Sequence, residues 1–115
     1  MTVDTHTLQE TLAAGLAYIL SMQAVDGSWT EWALPPGSSS AWTTAYVGYK
    51  LHSLPPDLMM QAAPRLAPAA GWQCDHAFSG GAWGYNALVG PDADSTSCAI
   101  LFLASAGRPV PEGAY

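Results

Sequence analysis

The sequence predicts an all-α fold of stacked helical hairpins, a partial α/α toroid, and three observations carry that prediction. Apolar residues recur at helical spacing in the stretches long enough to be elements. No stretch shows the alternation of period two that marks a half-buried strand. Gly27-Ser28-Trp29 and Gly81-Ala82-Trp83 lie 54 positions apart, and each precedes a polar loop and a second helical stretch. At the same offset Ala45 falls on Ala99, and Val47 on Leu101. The repeating unit is therefore a helix, a Gly-Trp turn, a loop and a second helix, and such units bury their apolar faces only by stacking. One domain over residues 1–115 holds about two units, near 7–54 and 57–106.

Thr7 and Glu10 form a T-x-x-E capping box for the first helix, which continues through Leu8, Leu12, Leu16, Ile19 and Leu20. It is expected to end near Met22 or Gln23, before Asp26-Gly27. A loop with Pro35-Pro36-Gly37 and three serines follows, and Ser39 or Ser40 caps a second helix from about Trp42 to Leu54. Pro55-Pro56 stops that helix. After Asp57, Pro64 and Pro68 predict one or two short or kinked helical turns, and Gly71 to Asn86 reads as a loop rich in Trp and Gly. The last helix spans about Ser95 to Ser105 and stops at Gly107, with Pro109 and Pro111 beyond. The tail from Gly107 to Glu112 reads as the lead-in to a further helix.

Half of the residues are hydrophobic and only 10% are charged, a low value for a free-standing surface. The net charge of −6 argues against nucleic acid and against adhesion to anionic lipid, so membrane contact is peripheral at most. Lys50, Arg65 and Arg108 are the only basic residues beyond histidine, and they are scattered. Met1-Thr2-Val3-Asp4 lacks the charged and apolar regions of a signal peptide, and no run has the length of a membrane span, so a cytoplasmic location is expected. Cys74 and Cys98 fit no C-x-x-C pattern and read as reduced thiols. Cys74-Asp75-His76 is too small a cluster to imply a metal, and no cofactor is expected.

Gln23 to Trp29, Q-A-V-D-G-S-W, resembles the Q-x-x-D-G-S-W repeat of the squalene–hopene cyclase and prenyltransferase-like family, and Gly80 to Asn86 resembles a second copy. The resemblance implies an α/α toroid in which Gln and Trp brace the outer helices. Ala77 replaces the Gln in the second copy, and Gln73 is the residue available to supply that bracing. Asp92-Ala93-Asp94-Ser95-Thr96 resembles the D-x-D-D-T element of class II terpene cyclases, whose middle Asp protonates an alkene or epoxide to start carbocation cyclisation. The matching residue is Asp94, with Asp92 beside it, and Ser95 stands where a third carboxylate is usual. Zinc-dependent prenyltransferases place an Asp and a Cys two apart; Asp94 and Cys98 are four apart.

The resemblance implies an isomerase acting on a hydrophobic isoprenoid-like molecule, with Asp94 and Asp92 as the catalytic pair and Trp42, Tyr46 and Tyr85 lining the substrate cavity. Trp42 and Tyr46 are one helical turn apart and face the same way. Read from the residues alone, Asp94 is a cap for the helix that follows, and packing is the commoner role for the aromatics. The toroid uses roughly six hairpins and this chain supplies about two, which leaves three readings: a fragment, one part of an assembly (a homo-oligomer or a complementing chain), or a minimal relative with another use. The alternative is a non-catalytic helical-repeat module that binds a protein or an apolar ligand.

Overall fold

A computed structural model describes residues 4–34 and 37–110, the side chains of 32–34 excepted. The order is α1 (Thr5–Ser21), β1 (Glu31–Leu34), β2 (Gly37–Ser39), α2 (Ala41–Leu51), α3 (Pro56–Asp75) and α4 (Ala93–Ser105). The chain is mostly helical, as its periodicity predicts. α2 packs most extensively against α4, while α3 touches α1, α2 and α4. Ala45, Ala62, Ala69, Trp83, Ala99, Phe102 and Leu103 form the fully buried centre. Gly48 lets α2 and α4 meet closely, because a methyl group there would overlap the Phe102 ring.

Four local expectations are corrected. The first cap is Asp4, not the Thr7–Glu10 box: the Asp4 carboxylate accepts from the Thr7 N–H at 2.8 Å and from the Thr7 hydroxyl at 3.1 Å. An anionic acceptor is favoured at a helix N-terminus, and Thr7 becomes part of the first turn. Glu10 pairs instead with His6 at 2.9 Å. Secondly, residues 31–39 form a small antiparallel hairpin, pairing Glu31 with Ser39, Ala33 with Ser38 and Leu34 with Gly37. Strands of four and three residues with an irregularity after Glu31 are too short to show an alternating pattern. The Pro35-Pro36 connection lies outside the described residues, as does the expected lead-in beyond residue 110.

Thirdly, α3 is one helix of 20 residues, although Pro64 and Pro68 lie inside it. Each proline removes a bond to the carbonyl four residues earlier, on Met60 and Pro64. Met60 is 78% exposed and both prolines are exposed, so those carbonyls lie on the solvent side. On the opposite face Leu58, Ala62, Leu66, Ala69 and Ala70 are buried, and that packing sustains the helix. The fourth correction follows, since 71–75 belong to α3 and the loop begins after His76. α4 ends as expected: Gly107 has φ +69°, the Arg108 N–H donates to Leu103 O at 2.9 Å, and the Gly107 N–H to Ala104 O at 3.1 Å.

The 54-residue offset is a repeat of hydrogen bonds. Trp29 Nε1 donates to Ile19 O, and Trp83 Nε1 to Gln73 O, each at 2.8 Å. The Trp29 N–H meets Thr44 Oγ1 at 2.9 Å while that hydroxyl donates to Trp29 O at 3.1 Å. Thr96 makes the same reciprocal pair with Trp83, at 3.0 Å both ways. Ala24 N–H to Ser28 O at 2.8 Å is matched by Phe78 N–H to Ala82 O at 2.7 Å. Each indole thus locks the end of one helix, and a threonine ties the turn to the next. Gly27 has φ +96° and lies against Pro68, whose backbone would sit 2.6 Å from an added Cβ. Gly81 repeats the positive φ, at +85°.

Gln23 donates to Gly27 O at 2.8 Å and Arg65 O at 2.9 Å, fastening the first turn to α3. Gln73 does not replace it in the second copy. Gln73 occupies the position of Ile19, and its amide donates across to Ala41 O at 3.2 Å.

Candidate active site

The loop after Trp83 brings the N-terminal ends of α2 and α4 to one end of the fold. Asn86 Oδ1 accepts from the N–H groups of Leu88 and Val89 at 2.9 and 3.0 Å, and its amide donates to Ser38 O at 3.1 Å. The Ser40 N–H, just before α2, donates to Tyr85 O at 3.2 Å. The Asp92 N–H donates to Trp83 O at 3.0 Å, which places the acidic stretch beside the second Trp turn.

Asp92 is the N-cap of α4. Its carboxylate accepts from the Ser95 N–H at 2.6 Å and from the Ser95 hydroxyl at 2.9 Å. The cap reading of Asp94 is therefore corrected, because a residue already inside the first turn cannot close it. Asp94 Oδ2 instead accepts from the Trp42 indole N–H at 3.0 Å, across from α4 to α2. Ser95, the departure from three acidic residues, is buried against the Asp92 carboxylate.

Trp42 stacks on Tyr46, with ring centroids 5.1 Å apart and planes 13° from parallel. Lys50 Nζ follows one turn later, 5.6 Å from the Tyr46 ring and 5.9 Å from Tyr49. Cys98 stands one turn below Asp94 on α4; burial raises its thiol pKa, the charges of Asp94 and Asp92 add to the rise, and Lys50 opposes it. Both cysteines are free.

Of the residues that the sequence points to, Asp94, Trp42 and Tyr46 come together, and Asp92 adjoins them as the cap. Tyr85 is half-buried on the loop, where its backbone serves α2. Sequence reasoning missed Thr44 and Thr96, although each follows its Trp by a similar interval, 15 and 13 residues. It also missed Lys50, which continues the Trp42 and Tyr46 spacing by one more turn. Among the described residues no group of three His, Cys, Asp or Glu lies close enough to hold a metal, and no helix is long and apolar enough to cross a membrane. A cleft of about 350 Å³ between α1 and the start of α3, lined by His6, Glu10, Asp57 and Gln61, lies apart from Asp94.

Helices bound by Gly-Trp turns, with a carboxyl held beside stacked aromatics, define the architecture of part of a terpene cyclase α/α fold, and comparison with solved structures gives that result. The chain is similar to the type II terpene cyclase MstE from Scytonema, with 29% identity and a TM-score of 0.78 over 97% of this chain and 33% of that one. It also matches a variant of that enzyme in complex with its substrate, geranylgeranyl dihydroxybenzoate, at 30% identity and a TM-score of 0.79, covering 95% of this chain and 31% of that one. A protein from Actinoplanes matches at 30% identity and a TM-score of 0.74, over 86% of this chain and 29% of that one. The chain thus spans about a third of the length of the structures it matches. No protein-family model matches the chain, and no curated protein matches it by sequence.

Proposed function

We propose that the chain is part of a class II terpene cyclase, an isomerase that cyclises a linear isoprenoid by protonation, with Asp94 as the general acid. The observation that carries the proposal is the Asp94–Trp42 hydrogen bond: capping falls to Asp92, and Asp94 is held across the helix pair beside stacked aromatic faces. In this reaction the Asp94 carboxyl gives its proton to a terminal alkene or epoxide and leaves a carbocation. Internal π bonds close rings onto that cation in turn, and loss of a proton ends the sequence. Atoms balance without a cofactor when an alkene is protonated, so product and substrate have the same mass.

Trp42 and Tyr46 offer ring faces to the cation. Asp92 fixes the start of α4, and hence the position of Asp94, by capping. Further hairpins, from a longer chain, a second copy or a complementing chain, would cover this face, and burial favours the protonated carboxyl that the reaction needs. The two hairpins, near 7–54 and 57–106, would be consecutive members of the toroid. Gln23 and Trp29 act in it as braces of the squalene–hopene cyclase kind, and the bonds that Gln23 makes to α3 support that role.

The test is turnover of geranylgeranyl dihydroxybenzoate, the relative's substrate, by the assembled protein and by Asp94→Asn. Removing a general acid costs about 10²–10⁴-fold in rate. A second reading, a non-catalytic repeat module, is favoured by the exposure of Asp94 in this chain. It requires that wild type give no cyclised product and that Asp94→Asn leave ligand binding and stability unchanged.

A further inference from the structure

Trp42, Tyr46 and Lys50 recur every fourth residue on α2 and form one line along the helix. Asp94, in the first turn of α4, bonds to Trp42 at the start of this line. The line therefore has an acid at one end, two stacked rings beside it, and a cation at the other. Eight residues at 1.5 Å each separate Trp42 from Lys50, about 12 Å along the helix.

Lys50 is exposed and makes no ion pair among the described residues. Its ammonium lies near the rings of Tyr46 and Tyr49. Arg65 is on α3 and Arg108 follows α4 near Gly71, so neither shares this line. On a chain with net charge −6, Lys50 is a local complement for an anion. A neutral ligand lying along these residues would leave the ammonium desolvated beside hydrocarbon, which is costly.

From this arrangement we infer that Lys50 selects an isoprenoid with a singly charged carboxylate head. The head meets the ammonium, the hydrocarbon lies over Tyr46 and Trp42, and the reacting terminus reaches Asp94. The inference rests on the cyclase reading and names its substrate class. A single ammonium suits a monoanion. A diphosphate needs several cations or a metal. The relative's substrate, a benzoate, is such a monoanion.

Equilibrium binding to the assembled protein tests this, with geranylgeranyl dihydroxybenzoate, its methyl ester and geranylgeranyl diphosphate as probes. Wild type should prefer the acid to the ester by about fivefold, a range typical of a partly exposed charge pair. The preference should weaken with salt. Lys50→Met keeps the apolar stem and should erase the preference, weakening the acid and tightening the ester as the desolvated ammonium is lost, and Lys50→Arg should restore it. Equal affinity for acid and ester in wild type, an undiminished preference in Lys50→Met, or tightest binding of the diphosphate would overturn the Lys50 assignment and leave the isoprenoid reading standing. Binding of none of the three would overturn both.

Discussion

Asp92 and Asp94 are two residues apart, yet the geometry at the head of α4 separates their roles. Asp92 has the extended backbone of a cap and receives Ser95, whereas Asp94 already belongs to the first turn and reaches Trp42. Asp92→Ala should cost about 1 kcal/mol in chemical denaturation, the typical value of a lost cap, and Asp92→Asn much less. Asp94→Asn should leave stability nearly unchanged, since no helix N–H relies on Asp94. Cys98 reports on the same carboxylate. Burial and the Asp94 charge both raise its thiol pKa, so Asp94→Asn should lower that pKa and speed alkylation of Cys98 near neutral pH. An unchanged alkylation rate would mean that the Asp94 charge does not reach the thiol.

At the scale of elements, the Trp turns were legible because Gly and Trp recur at one offset, and the helices of α1, α2 and α4 because their apolar spacing is helical. α3 was not legible. Its two prolines signal a break locally, and only the buried stripe from Leu58 to Ala70 shows why the helix continues. The acidic stretch was legible as a site, but its division of labour was not, because Asp, Ser and Thr at a helix start are interchangeable as caps until the backbone is known. Lys50 escaped notice because a lone lysine on a helix usually belongs to a solvated face.

Gly48→Ala should destabilise the α2–α4 contact by about 1–3 kcal/mol, the cost of overpacking against Phe102, measured by thermal or urea unfolding. The first Trp turn carries a carboxylate that the second lacks, Gly80 standing in the place of Asp26. Bonds from the Ser28 hydroxyl and N–H hold the Asp26 pKa below its ordinary 3.8. A depressed carboxylate contributes stability above its unfolded pKa and loses it as pH falls through the folded value. Acid unfolding below about pH 4 should therefore be less steep in Asp26→Asn than in wild type. Identical acid limbs would show that the Asp26–Ser28 bonds do not stabilise the fold.

The whole molecule leaves apolar surface uncovered. Leu8, Leu12, Tyr18 and Met22 on or beside α1 are about half exposed or more, as are Tyr46 and Leu101. The Cα radius of gyration is 15.0 Å, against about 13 Å for a compact domain of this length. The chain alone should associate or bind a hydrophobic dye; light scattering from a compact monomer that binds no dye would contradict the open-sided hairpin stack.

Delivery of a proton from Asp94 to an isoprenoid is read out by turnover in deuterated water. Geranylgeranyl dihydroxybenzoate is incubated with the assembled protein, and the product is analysed by mass spectrometry and NMR. Protonation by Asp94 gives a cyclised product with one deuterium at the carbon that receives the initiating proton, and that product is lost in Asp94→Asn while Asp94→Glu retains a part. No cyclised product, a product free of deuterium at that carbon, or wild-type turnover by Asp94→Asn would contradict it.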